Sequence, residues 1–287
     1  MILVTGATGH YGKEVMDFLL KKTPAENVAA IARNPDKLNT YKAIGVSVRK
    51  AEYDDSGSLL NAFKGVDTLL FVSGNEIGKR IPQHTNVVNA ARKAGVKHIL
   101  YTSFQRKSES SNSPIALIAQ DHIETERLIL ASGMDYTILK HSLYLDALPM
   151  FLGPNVADTG IFLPAGNGKG SFALRADMAE AAANILTSEG HRNKVYEIAS
   201  PASYSFTDIA NQISVITGKS VSYTSPTEEA FTDALAKSGV PAGTIGFSLG
   251  FAKAIAAGEF DCPSPTLRQL LGREPVSPEQ FLKQILK

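Results

Sequence analysis

Short apolar runs recur along the chain, separated by stretches whose apolar residues return every three or four positions. The runs are ILVT (2–5), NVAAIA (27–32), VSVRKA (46–51), DTLLFVS (67–73), VKHILYTS (96–103), DYTILK (135–140) and KVYEIA (194–199). Most are apolar without interruption at their centres, the pattern of strands covered on both faces, as in a parallel sheet. The segments between them read as helices. NVVNAARKAGV has apolar residues at helical spacing and stops at Gly95, and LLNAFKG is another helix closed by a glycine. Repeated strand–helix–strand units need right-handed crossovers, so the pattern predicts an α/β fold built on a doubly wound parallel sheet.

The rhythm changes after about residue 140. LPAGNGKGSF (163–172) is a glycine-rich loop, DMAEAAANILTS (177–188) a helix, and KVYEIA a late strand returning to the sheet. From Ser203 the pattern is mostly helical, punctuated by SPTEE, GVPAG and SPTLRQLLGREPVSPEQ; Ser-Pro followed by acidic residues is a helix-start signal. The expected organisation is a sheet domain of residues 1–150 with a returning segment at about 176–200, and a smaller helix-rich, substrate-binding cap of residues 151–175 and 201–287. No internal repeat or low-complexity segment interrupts it.

The first run leads into Gly6, Gly9 and Gly12, in the stretch ILVTGATGHYG. A strand, a glycine-rich turn and a helix starting near His10 are the parts of a phosphate cradle in a Rossmann-type sheet. One glycine permits the tight turn, the next lets backbone approach a pyrophosphate, and the third lets helix and strand come close. The helix N-terminus then offers unpaired N–H groups and partial positive charge to the anion. The spacing is GxxGxxG, and a bare structural turn is the competing reading. The second run ends AIARNPDK, with Ala32, Arg33 and Asn34 where an NAD site carries an acid for the ribose 2′-hydroxyl. Arg33 can pair with a 2′-phosphate instead, which favours NADP(H) over NAD(H). A solvated surface arginine is the alternative.

Composition narrows the field. The 287 residues are 44% hydrophobic and 20% charged, with 29 Lys and Arg against 28 Asp and Glu, so the net charge is +1. That balance supplies no basic footprint for nucleic acid. A single cysteine, Cys262, excludes an intrachain disulfide and suits a reducing, cytoplasmic compartment. Met1 runs directly into a strand, so neither a signal peptide nor a membrane-spanning helix is expected. Six scattered histidines give no metal-ligand spacing, and there is no G-x-S-x-G elbow for a serine nucleophile.

The segments TGATGHYG, IARNPDK and GVKHILYTS resemble the NmrA-like branch of the atypical short-chain dehydrogenase/reductase superfamily. The likeness extends over nearly the whole chain through PQHTNVVNAARKAGVKHILYTS, DHIETE, YTILKHSLY, RADMAEAAA and SEGHRNKVYEIAS. Within that branch it is similar to the bacterial NADPH:quinone oxidoreductases (type 2) and triphenylmethane reductases. The resemblance implies that Gly6, Ala7, Thr8, Gly9, His10 and Tyr11, with Gly12 behind them, wrap the pyrophosphate. It implies that Ser73, Gly74 and Asn75 pass the ribose and phosphates, with Thr102, Ser103 and Lys140 also at the cofactor. His141, Ser142, Leu143, Tyr144, Leu145 and Asp146 would line the nicotinamide end. Asp54 falls where relatives place an acid near the adenine, and equally fits as N-cap of a helix at 55–64.

The superfamily's Tyr-x-x-x-Lys pair is missing. IAQDHIETERLIL offers His122 and Glu126 at that spacing instead. Reducing a ketone leaves a strongly basic alkoxide and needs a positioned acid. Reducing a quinone leaves a phenolate-like anion whose conjugate acid resembles tyrosine's pKa of about 10. Reducing a cationic triarylmethane dye needs no proton. The expectation is an NAD(P)H-dependent oxidoreductase moving hydride to a planar electrophilic acceptor held over the nicotinamide in a dry pocket. Phe104 and Tyr144 would stack on the acceptor, and Tyr144, Ser103 and His122 are the candidate catalytic side chains. For His84 and His122 a surface or helix role is the commoner reading. Lys140 would neutralise phosphate or simply reach solvent, and the GNGKG loop with Lys169 is either a closing loop or a plain hairpin. A dinucleotide-sensing regulator like fungal NmrA is the alternative function, a sugar-nucleotide epimerase a weaker one, and monomer and homodimer both stay open.

The arginine reading has a direct check. Arg33→Ala is expected to weaken NADPH binding by about ten- to a hundredfold, the worth of a charge-assisted contact, and NADH binding far less. Equal losses for the two nucleotides in a fluorescence titration would remove the 2′-phosphate assignment.

Overall fold

The computed structural model describes residues 1–76 and 78–286. Each of the seven apolar runs forms a strand of one sheet: β1 (Ile2–Val4), β2 (Val28–Ala32), β3 (Ser47–Lys50), β4 (Thr68–Phe71), β5 (His98–Phe104), β6 (Asp135–His141) and β7 (Lys194–Ile198). Their order across the sheet is β3-β2-β1-β4-β5-β6-β7. The pairs from β3 to β6 are all parallel. At the last edge, Asn193 N–H donates to Tyr136 O (2.6 Å) and Ser142 N–H to Ile198 O (3.0 Å). Those bonds run in the same order along both segments, so β7 is parallel as well. Strand order reverses between β1 and β4, the switch point at whose carboxyl end ligands of open α/β sheets bind.

The helices follow from apolar spacing and their end signals. α1 (His10–Leu19) buries Val15, Met16 and Leu19. α2 (Ser56–Ala62) is capped by Asp55, whose carboxylate accepts from the N–H groups of Gly57 (2.9 Å) and Ser58 (3.0 Å). α3 (Arg80–Ala94) ends at Gly95, which takes the left-handed φ of +80° that a glycine tolerates. α4 (Ala116–Leu130) and α5 (Arg175–Leu186) complete the set beside the sheet. α5 buries Ala179, Ala181, Ala182 and Ala183. One core cluster joins Leu3, Ile31, Phe63, Leu69, Phe71, Val87, Ile99, Tyr101 and Ile129.

The chain divides into two compact units. The first comprises Met1–Phe104, Gln120–His141 and Ala176–Glu197; the second comprises Gln105–Ala119, Ser142–Arg175 and everything from Ile198 onward. Residues 105–119 and 142–150, which the sequence pattern groups with the sheet, thus cluster with the second unit. The first of these segments is tied to a carboxylate far along the chain. Buried Glu259 accepts from the backbone N–H of Lys107 (3.1 Å) and Ser108 (2.9 Å) and from the Ser113 hydroxyl (2.7 Å).

In the second unit, α6 (Phe206–Thr217), α7 (Glu228–Lys237), α8 (Ala242–Ala256) and α9 (Pro278–Ile285) give the helix-rich character expected. Ser205 with Asp208, and Ser277 with Gln280, form reciprocal caps at the starts of α6 and α9. The glycine-rich loop is a fastened connection within this unit. A Cβ on Gly168 would lie 2.8 Å from Ala256 Cα, and the Tyr223 hydroxyl donates to Gly166 O at 3.0 Å. Lys169 and Gly170 pair antiparallel with Tyr204 and Ser205, leaving the Lys169 side chain exposed.

Core and surface substitutions should separate cleanly. Phe63→Ala, at a fully buried side chain, is expected to cost about 3–5 kcal/mol. Val215→Ala, at a side chain 82% exposed on α6, is expected to change stability by less than about 0.5 kcal/mol. Urea unfolding of the two variants beside the parent measures both.

Candidate functional site

The cradle begins where β1 ends. Gly6 turns the chain with φ +62°, and Gly9 N–H closes the turn on Gly6 O (2.9 Å). Across the switch point, a Cβ on Gly6 would sit 3.1 Å from Val72 Cβ. A Cβ on Gly12 would sit 2.7 Å from the Gly6 carbonyl carbon and 3.0 Å from Ala7 N. The missing side chains therefore let α1 lie directly on the turn from which it grows. Gly9 is the N-cap of α1, with no side-chain cap and no acid in the first turn. Thr8, Gly9 and His10 are exposed. The helix thus turns its unclosed N–H groups and partial positive charge outward, and the cradle fits a pyrophosphate. Ala7 is buried beneath it. Tyr11 and His141 are also buried, their rings 5.0 Å apart, with the Tyr11 hydroxyl 3.5 Å from Met178 O.

At the end of β2, Asn34 accepts from Asp36 N–H (3.0 Å) and caps the short helix Pro35–Leu38. Arg33 is exposed beside it. Its Nη1 lies 4.0 Å from Glu76 Oε1, while Lys79 Nζ lies 3.3 Å from Glu76 Oε2. Glu76 and Lys79 were not singled out in the sequence, where nothing marks which β4-loop residues meet the tip of β2.

The loop after β4 is held by side chains rather than by strand pairing. Ser73 N–H donates to Thr102 Oγ1 (2.8 Å), and Gly74 N–H to His84 Nε2 (3.0 Å). Arg80 Nε donates to Gly74 O (2.6 Å). The Tyr53 hydroxyl bonds Thr5 Oγ1 (2.6 Å) and Val72 O (2.7 Å), tying the ends of β1 and β4 together. Asn75 is exposed. Asp54 is not the cap of α2; Asp55 takes that role, and Asp54 Oδ2 accepts from Gln83 Nε2 at 3.0 Å.

The would-be acid pair faces β5. His122 Nδ1 bonds the Tyr101 hydroxyl at 2.8 Å, and the Ser103 hydroxyl donates to the Glu126 carboxylate. The Phe104 ring stacks on His122 at 5.8 Å. His84 and His122 both stand on helices, as one of the two expected roles had it, but they are buried rather than at the surface. Burial pushes the Tyr101 hydroxyl pKa well up, so it stays protonated. Lys140, at the end of β6, lies 3.8 Å from Glu197 on β7.

Ser142 to Asp146 belong to the second unit. Ser142, Leu143 and Leu145 are buried, and Ala173 bonds this segment through Leu143 O (3.0 Å) and Leu145 N–H (2.9 Å). Tyr144 is half-buried with the Arg175 guanidinium 5.0 Å over its ring. Burial pushes the Tyr144 hydroxyl up to about 12, against the pull of Arg175. Asp146 accepts from Arg175 N–H (2.9 Å) and pairs with its Nε (3.5 Å), so its carboxylate anchors the start of α5. Arg175 stands in the motif RADMAEAAA, yet its stacking on Tyr144 has no sequence signal.

Among the described residues no cluster of three or more His, Cys, Asp or Glu side chains could hold a metal, and no helix is long and apolar enough to cross a membrane. The NmrA-like family profile matches residues 1–254. The chain belongs to the NmrA-like family. Quinone oxidoreductase 2 of Escherichia coli (strain K12) is 40% identical to this NmrA-like chain over 273 residues, 95% of this chain and 94% of that one. The crystal structure of the NADPH-dependent quinone oxidoreductase QOR2 from Escherichia coli, complexed with NADPH, superposes with a TM-score of 0.90 at 37% identity, covering 100% of both chains. The Citrobacter sp. triphenylmethane reductase complexed with NADP(H) superposes with a TM-score of 0.92 at 38% identity, covering 99% of both.

The buried histidines set an acid limit. Burial lowers His84 and His141 to about 3, and His98 to about 4, from an ordinary value near 6.5. Each is therefore neutral in the folded chain while the unfolded chain takes up its proton below about pH 6.5. Their contribution to stability is constant above that pH. It then falls by about 1.4 kcal/mol per pH unit for each of His84 and His141 until their folded pKa is reached. Urea unfolding at pH 7.5 and 5.0 measures the slope, and equal midpoints would contradict it.

Proposed function

We propose that this chain is an NAD(P)H-dependent oxidoreductase, NADPH being preferred, that reduces a planar electrophilic acceptor such as a quinone or a cationic triarylmethane dye. The single observation that carries the reading is the cradle at the switch point, where Gly6 and Gly12 leave no room for side chains and α1 presents an uncapped, acid-free N-terminus. The similarity to quinone oxidoreductase 2 and to triphenylmethane reductase supports the acceptor class.

When bound, the reduced dinucleotide supplies the hydride. Gly6, Ala7, Thr8, Gly9, His10, Tyr11 and Gly12 form its pyrophosphate seat, and Arg33 takes the 2′-phosphate. Asp54 borders the adenine; Ser73 to Asn75, Thr102, Ser103 and Lys140 border the riboses and phosphates. His141 to Asp146 form the nicotinamide end, and Phe104 and Tyr144 receive the acceptor. His122 bonds Tyr101 and Glu126 accepts from Ser103, and no Tyr-x-x-x-Lys pair stands at that spacing to deliver a proton. A quinone acceptor does not need one, because its anion, with a conjugate acid of pKa about 10, takes a proton from water. What the residues supply is position and exclusion of water. A reducing, cytoplasmic setting suits the lone Cys262.

The test is NADPH oxidation followed at the nicotinamide absorbance, with a quinone and with a malachite-green-type dye. Turnover of one or both, faster with NADPH than with NADH, is the expected result. Tight NADPH binding with turnover of neither would favour the regulatory reading instead.

A further inference from the structure

Both backbone polar groups of Gly74 are gripped by side chains of one helix. Its N–H donates to His84 Nε2 at 3.0 Å, and its C=O accepts from Arg80 Nε at 2.6 Å. Because Nε2 accepts, the imidazole proton sits on Nδ1 and donates to Thr125 Oγ1 at 2.7 Å. Thr125 in turn donates to Asp121 O at 2.7 Å. The ring is fully buried and meets Phe71 at 4.8 Å, Tyr101 at 5.8 Å and Tyr53 at 6.5 Å. Arg80 is steadied from α4 by Asp121 at 3.9 Å. A side chain on Gly74 would have little room, with its Cβ 3.2 Å from Gln83 Oε1 and 3.5 Å from His84 Nε2.

We propose that His84 is a positioning residue for the dinucleotide, acting through Gly74. The inference rests on the functional reading that Ser73 to Asn75 border the ribose and phosphates. With the N–H groups of Ser73 and Gly74 both turned inward, to Thr102 and His84, the loop meets the nucleotide with the side chains of Ser73 and Asn75. Without the His84 acceptor, the Gly74 peptide loses the partner that orients it, and those two side chains lose their aim. Burial keeps the imidazole unprotonated down to about pH 3, so the acceptor persists across the physiological range.

Two variants test this. His84→Leu removes the acceptor with similar bulk; His84→Gln keeps an amide oxygen and an N–H donor. The readouts are the NADPH dissociation constant by fluorescence titration, thermal unfolding, and the acceptor KM and kcat at saturating NADPH. His84→Leu is expected to raise the NADPH dissociation constant about tenfold, the worth of one oriented hydrogen bond, with kcat and acceptor KM within about twofold of the parent. His84→Gln is expected to recover most of the loss. An unchanged dissociation constant in folded His84→Leu overturns the proposal. So does a fall in all parameters together, tracking melting temperature and not restored by Gln. Should His84→Leu fail to fold, Thr125→Val, which removes the group that sets the tautomer, must still weaken NADPH binding severalfold; no change there overturns the proposal. A parent chain that takes up no NADPH overturns the functional reading itself, a result distinct from any of these.

Discussion

The contact on which the rest depends is between two glycines. α1 lies on the turn after β1 so closely that a Cβ at Gly12 would fall within 2.7 Å of the Gly6 peptide. That approach aims the helix axis at the end of β1, and the Gly6 φ of +62° carries the chain there in four residues. The rest of the cradle takes its place from this contact. The open N–H groups stand at the crevice because α1 starts there, and the crevice exists because strand order reverses between β1 and β4. The shape of the cradle is thus a backbone property, and a helix terminus faces its opening.

The side chains around the cradle are tied to one another and to the backbone. His122 and Glu126 occupy the spacing of a proton-delivering pair, and each meets a side chain of β5, one Tyr101 and the other Ser103. The neighbouring Thr125 completes the grip on His84. Three positions of α4 therefore organise buried polar groups in the way a reactive pair would otherwise occupy the helix. An acceptor that is already electrophilic is the natural counterpart of such a helix, because its reduction calls for alignment more than for an acid.

The strands were legible because burial on both faces demands an uninterrupted apolar run; Ala29, Ala30 and Ile31 are all buried. The cradle was legible because its constraint is local, three glycines within seven residues. Asp54 and Asp55 show where legibility stops. Two adjacent acids carry the same signal, and only the backbone geometry at the start of α2 chooses the cap. His84 was a lone histidine on a helix; its partner is a backbone amide, which no residue type advertises. The placement of residues 105–119 was out of reach for a similar reason, since Glu259 orders them from about 150 positions downstream through peptide N–H groups.

The interleaving of the two units bears on how the chain is made. β7 and α5 belong to the sheet but leave the ribosome after residues 142–175, which cluster with a unit whose remainder follows Ile198. During synthesis the edge of β6 therefore waits, unpaired, for a strand still to come, and the intervening segment waits for helices later still. Neither unit can be completed in order of emergence. The open β6 edge is a template for pairing with another chain during that interval. Vectorial folding gives this protein a sheet that closes only once Lys194–Ile198 have emerged.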